Sequence, residues 1–123
     1  PRTVKIEGYF LNGKPEGLWK SYDQWGKVRV EASYLDGELD GSYKTYAYEN
    51  PIDEDRYYFR EDSDSLPEER TYYLSSECTY KNDLKEGKSY EYNWYGGVTL
   101  EENFQEGALE GVSIERNEMA VII

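Results

Sequence analysis

The sequence contains no histidine and a single cysteine, Cys78, in 123 residues. Without histidine, the usual general base at neutral pH and the commonest zinc ligand are both missing. A lone cysteine excludes an internal disulfide framework and any CxxC zinc site. Cations are also scarce: 14 Lys and Arg stand against 26 Asp and Glu, for a formal charge of −12. So negative a chain repels polyphosphates and anionic bilayers, so neither direct nucleic-acid binding nor membrane docking is expected. No apolar run approaches the ~20 residues of a membrane-spanning helix. The longest, Met119 to Ile123, reads as a closing strand. With one unpaired thiol and no export signal, the expectation is a cytoplasmic protein. GxSxG, Walker and GxGxxG patterns are absent, and no nucleophile–base set is visible, so neither an enzyme nor a cofactor is expected. Hydrophobic residues make up 37% of the chain, too few for a three-layer core.

What the chain has in abundance is tyrosine, 14 of 123 residues, which argues against disorder. The aromatics recur. Phe10-Leu-Asn-Gly-Lys-Pro-Glu-Gly17 aligns with Tyr34-Leu-Asp-Gly-Glu-Leu-Asp-Gly41 at an offset of 24, and Tyr80-Lys-Asn-Asp-Leu-Lys-Glu-Gly87 aligns with Phe104-Gln-Glu-Gly-Ala-Leu-Glu-Gly111 at the same offset. Tyr22, Tyr46 and Tyr92 follow the first aromatic at a fixed distance, with Arg116 in the fourth copy. Glu7, Glu31, Glu77 and Glu101 precede it. The repeats span about 4–27, 28–51, 74–97 and 98–123. Residues 52–73 form either a degenerate copy, the preferred reading, or an inserted excursion with a short helix capped at Ser65-Leu-Pro-Glu68.

Each copy reads as a β-hairpin. Asn12-Gly13 and Asp36-Gly37 are signals for two-residue turns. Before the turn, Val4, Ile6 and Phe10, and their counterparts Val28, Val30, Tyr34, Leu74, Cys78, Tyr80, Val98, Leu100 and Phe104, form an apolar face. Lys5, Glu7, Arg29, Glu31, Glu77 and Glu101 face the other way. After the turn, Leu18, Tyr22, Tyr46, Tyr90, Tyr92, Val112 and Ile114 are assigned to the apolar side. Such alternation describes a sheet packed on one face, with tyrosines stacked copy upon copy. The fold expected is all-β: an elongated, single-sheet antiparallel meander of tandem hairpins of ~24 residues, one repeat domain over 1–123.

Tyr34-Leu-Asp-Gly-Glu-Leu-Asp-Gly-Ser-Tyr-Lys-Thr-Tyr46 and Tyr80-Lys-Asn-Asp-Leu-Lys-Glu-Gly-Lys-Ser-Tyr-Glu-Tyr92 resemble the membrane-occupation-and-recognition-nexus (MORN) repeat, and more closely its bacterial antitoxin-type variant. The resemblance implies a β-hairpin array that binds partners. MORN arrays that dock on lipid use basic surfaces, unlike this chain.

The glutamates Glu7, Glu31, Glu77 and Glu101 read as a solvated face offset by Lys5 and Arg29, because recurrence in every copy signals structure. Asp53-Glu-Asp55 and Glu61-Asp-Ser-Asp64 lack the spacing of a calcium loop. Cys78 reads as a buried structural thiol. Trp19 is assigned to the polar face as an exposed hot-spot residue, and Trp25 and Trp94 to the turns between copies. The strongest functional lead is segment 49–70. It carries Glu49, Asp53, Glu54, Asp55, Glu61, Asp62, Asp64, Glu68 and Glu69 against three arginines, net −6, and includes Tyr57, Tyr58 and Phe59. An acidic, aromatic surface is steered onto a basic cleft. The function expected is a non-enzymatic stoichiometric inhibitor of antitoxin, immunity or phage anti-defence type, whose partner is a toxin, nuclease or other nucleic-acid enzyme met by charge mimicry. The alternative is an assembly module that self-associates, as a homodimer for instance, through sheet edges or its aromatic face.

Overall fold

A computed structural model of the protein describes residues 5–49 and 71–116. The chain is all-β there. Ten strands form one antiparallel sheet: β1 (Lys5–Leu11), β2 (Lys14–Tyr22), β3 (Val28–Leu35), β4 (Glu38–Glu49), β5 (Thr71–Lys81), β6 (Leu84–Lys85), β7 (Gly87–Tyr92), β8 (Val98–Gln105), β9 (Ala108–Leu109) and β10 (Ile114–Glu115). The strand order follows the sequence, β1-β2-β3-β4-β5-β7-β8-β10, with β6 on β5 and β9 on β8. β4 pairs directly with β5 from Gly41↔Tyr80 to Glu49↔Thr71, so no strand separates them. The remainder of 52–73, the capping box at Ser65 and the closing strand at Met119 lie outside the described residues.

Four tight turns build the hairpins. Asn12-Gly13, Asp36-Gly37, Asn82-Asp83 and Glu106-Gly107 all have positive φ at both residues, the geometry that matches strand twist in two-residue loops. The second recurring glycine does something else. Gly17, Leu18 and Trp19 stand opposite Gly8 alone, since Glu7 faces Lys20 and Tyr9 faces Glu16. The chain bulges there, and Gly17 takes φ 79°, where a Cβ is disfavoured.

The sheet is one layer thick. Among the described residues only Ala32 and Asn93 are buried. The expectation of one packed face is therefore corrected: Ile6 and Phe10, both assigned to a buried side, are exposed. Stability comes from pairing within the sheet, through two cross-strand rows on opposite faces. On one face, Trp19 lies opposite Ala32, Ala32 opposite Tyr43, and Tyr43 opposite Cys78, with Gly8 beneath the Trp19 ring. Small residues alternate with large rings, so each ring has room to lie over its neighbour. On the other face runs Glu7, Lys20, Glu31, Lys44, Glu77, Tyr90, Glu101.

Candidate functional site

The tyrosine ladder shares its face with the glutamates as well as with aliphatics. Tyr22, Tyr46 and Tyr92 stand opposite Val28, Leu74 and Val98, and their hydroxyls reach the charged row. The Tyr22 hydroxyl donates to Glu7 Oε1 at 2.8 Å, Tyr46 donates to Glu31 Oε1 at 2.9 Å, and Tyr92 donates to Glu77 Oε2. Each pair is 15 residues apart. Grouping by polarity placed these rings with the aliphatics and away from the glutamates; the first holds for Val28, Leu74 and Val98, the second does not. The register puts Lys5 opposite Tyr22 and Glu7 opposite Lys20, and an amphipathic phenol is at home there. Leu18 shares that face and is 49% exposed. Lys20 and Lys44 alternate with the glutamates, whereas Arg29 turns away from them. Its Nε donates to the Tyr46 carbonyl at 2.7 Å.

These bonds move the tyrosines' proton affinity. The hydrogen bond to Glu7 holds Tyr22 above the ordinary value of 10.0. Partial burial, then the bond to Glu31, raises Tyr46, and burial followed by Glu77 raises Tyr92. Burial also raises Tyr80 and pushes the Cys78 thiol up, which makes that thiol a poor nucleophile. Below the ordinary tyrosine value both folded and unfolded chains keep these protons, and the stabilisation is complete. As pH climbs past it, the unfolded chain loses protons first and the folded state is penalised. Urea midpoints are expected to fall between about pH 9 and 11, more gently in Tyr46→Phe than in the wild type. Equal slopes would mean that the Tyr46 proton contributes nothing to the pH dependence.

Trp19 is corrected as well. It lies on the aromatic face, edge-on to Phe10 (centroids 5.1 Å apart) and to Tyr34 (6.1 Å), partly buried, with its Nε1 buried and unpartnered. Tyr43 and Tyr80 extend the aromatic row at 5.4 Å.

At one end of the sheet the connecting loops form corners that the sequence reading missed. Asp23 Oδ1 accepts the N–H groups of Trp25 (2.9 Å) and Lys27 (3.1 Å). Its Oδ2 accepts the Tyr72 hydroxyl at 3.0 Å and faces Arg29 at 3.9 Å. Trp25 packs on Tyr48, Tyr48 on Tyr72, and the Arg29 guanidinium lies 5.3 Å from the Tyr48 ring centre. Asn93 repeats the loop, accepting from Tyr95 (3.1 Å) and Gly97 (2.8 Å), beside exposed Trp94, whose ring lies tilted against Tyr95. The signal was present in the sequence: an Asx residue follows Tyr22 and Tyr92, three residues before Gly26 and Gly96.

The Asp23 corner marks the foot of the acidic segment. β4 ends at Glu49 and β5 begins at Thr71, and these two residues pair. Tyr48 and Tyr72, which also pair, belong to the corner cluster. Asp53, Glu54, Asp55, Glu61, Asp62, Asp64, Glu68, Glu69, Tyr57 and Tyr58 lie outside the described residues, as does the side chain of Glu49. Among the described residues no three of His, Cys, Asp and Glu converge as metal ligands, and no helix is long and apolar enough to cross a membrane. No family model, no curated protein and no solved structure matches the chain.

Proposed function

We propose that this protein is a non-enzymatic acidic binding module, a stoichiometric inhibitor of antitoxin, immunity or phage anti-defence type, which works in the cytoplasm. The carboxylates of 49–70 occupy the phosphate positions of a basic, nucleic-acid-binding cleft on a partner protein. The observation that carries this reading is the foot of the segment. Twenty-two residues with net charge −6 are held at both ends by adjacent, paired strands, Glu49 against Thr71, and braced by the Asp23–Arg29–Tyr72 corner. Such a tether fixes where the charge is presented and lowers the entropy lost on docking. The three Tyr–Glu bonds at one spacing support taking the hairpins as copies of a MORN-like unit, a scaffold for that display.

The test is binding to a panel of purified nucleases and toxins with basic clefts, at rising salt. Affinity is expected to fall steeply with salt. Reversing Asp53, Asp55, Asp62 and Asp64 to lysine should weaken it at least tenfold while the urea midpoint stays put. Salt-independent binding, or full affinity in the reversed variant, would overturn the reading.

A further inference from the structure

Neighbouring hairpins are joined by a contact made the same way three times. The tip of one turn hands two N–H groups to the strand that follows the previous turn. Gly37 N–H donates to the Pro15 carbonyl at 3.0 Å and Asp36 N–H to the Glu16 carboxylate at 2.9 Å. Asp83 N–H donates to the Leu39 carbonyl at 2.9 Å and Asn82 N–H to the Asp40 carboxylate at 3.4 Å. Gly107 N–H donates to the Lys85 carbonyl at 2.9 Å and Glu106 N–H to the Glu86 carboxylate at 2.8 Å. A carbonyl and the next residue's carboxylate form the socket, and a type I′ turn is the plug.

One socket and one plug are left over among the described residues. The fourth hairpin presents the Leu109 carbonyl and the Glu110 carboxylate. Glu110 is seated as Glu86 is, its N–H donating to the Asn103 carbonyl at 2.8 Å just as that of Glu86 donates to Thr79. Its carboxylate has no partner among the described residues. At the far edge the first turn, Asn12-Gly13, has the same positive-φ geometry as the three occupied plugs, and its tip N–H groups meet no acceptor. Exposure agrees. Leu109 is 59% exposed while its counterpart Leu39, under a docked turn, is partly buried. Phe10 is 60% exposed, while Tyr34, Tyr80 and Phe104 are partly buried. Ile6 and Val112, at 67% and 74%, lie at these same two ends.

We infer that copies of this chain associate head to tail, the Asn12-Gly13 turn of one copy seating on Leu109 and Glu110 of the next. β1 then continues the sheet alongside residues 112–116. The joint is heterologous, so it builds a series of copies, open or closed into a ring, rather than a symmetric pair. Two chains each carrying −12 repel at long range, so added salt strengthens the joint by screening. Salt weakens capture by a basic cleft, so this inference and the inhibitor reading fail separately.

The experiment is sedimentation velocity of the full chain over a wide concentration range, at low and high salt. A size distribution that grows with concentration and with salt is expected. Glu110→Lys, at an exposed residue with no side-chain contact to lose, should weaken association at least tenfold although it lowers the net repulsion. Glu38→Lys, the same charge change in mid-sheet, should leave association unchanged or stronger. Glu110→Lys chains keep their turn, so added to the wild type they should cap the growing series and shorten it. A monomer under all conditions, a series that stops at two copies, equal loss in both variants, or Glu110→Lys chains that never enter wild-type assemblies would each overturn the inference.

Discussion

Gly8→Ala is expected to cost this protein a large part of its stability. A Cβ at Gly8 would overlap Cδ2, Cε2 and Cε3 of the Trp19 indole, so the ring must leave its place. The residue's φ is not in the left-handed region, so the cost is steric rather than conformational. Forcing a side chain off a packed site costs about 1–3 kcal/mol. The edge-on contacts of Trp19 with Phe10 and Tyr34 are worth about 0.5–1.5 kcal/mol each and go with it. A single-layer sheet has no second layer to absorb the change, and whole domains are stable by only about 5–15 kcal/mol. Urea unfolding with tryptophan fluorescence checks this: the midpoint falls and native emission shifts to the red. In a Trp19→Leu background the same Gly8→Ala change should cost under about 0.5 kcal/mol, since the clash is gone. An undiminished cost there would show that the cradle is not the cause.

The second large effect is expected at Lys44→Glu. Lys44 lies opposite Glu31 on one side and Glu77 on the other. Reversal turns an alternating row into three adjacent carboxylates. Like charges directly opposite each other destabilise a strand pair by up to about 1 kcal/mol, so a loss of about 1–2 kcal/mol is expected at low salt, shrinking as salt screens the row. Lys81→Glu adds the same charge outside the row, opposite Leu84, and should cost little. Equal losses at both positions would assign the effect to the protein's net charge rather than to the row.

The hairpins were legible because a two-residue turn needs positive φ twice, which Asn12-Gly13 and Asp36-Gly37 declare openly. Asn82-Asp83 and Glu106-Gly107 are weaker signals that the alignment brought into line. The glutamate ladder was legible because Glu7, Glu31, Glu77 and Glu101 each stand three residues before an aromatic. Its partners were not. Alternation divides each strand into two sides without saying which sides of neighbouring strands coincide, and a wrong match moves a whole set of residues to the other face. Tyr22, Tyr46 and Tyr92 were rightly set with Val28, Leu74 and Val98 but wrongly set away from the glutamates, because a bulge before each pair brings it onto the glutamate face. Trp19 was misplaced because its position depends on the bulge that sets three residues against Gly8. Asp23 was missed because its importance lies in Tyr72, 49 residues away.

Alternation, turn residues and composition thus determined by themselves that the described residues are all-β and antiparallel and that the chain is strongly acidic, because each follows from local backbone preference or from counting charges. The tertiary structure alone decided that β4 meets β5 directly at the foot of the acidic segment. It also decided that lysines and tyrosines interleave the glutamates, and that one socket and one plug stand open at opposite ends of the described sheet. Those facts depend on strand register and on contacts between residues far apart in the chain, which no local pattern encodes.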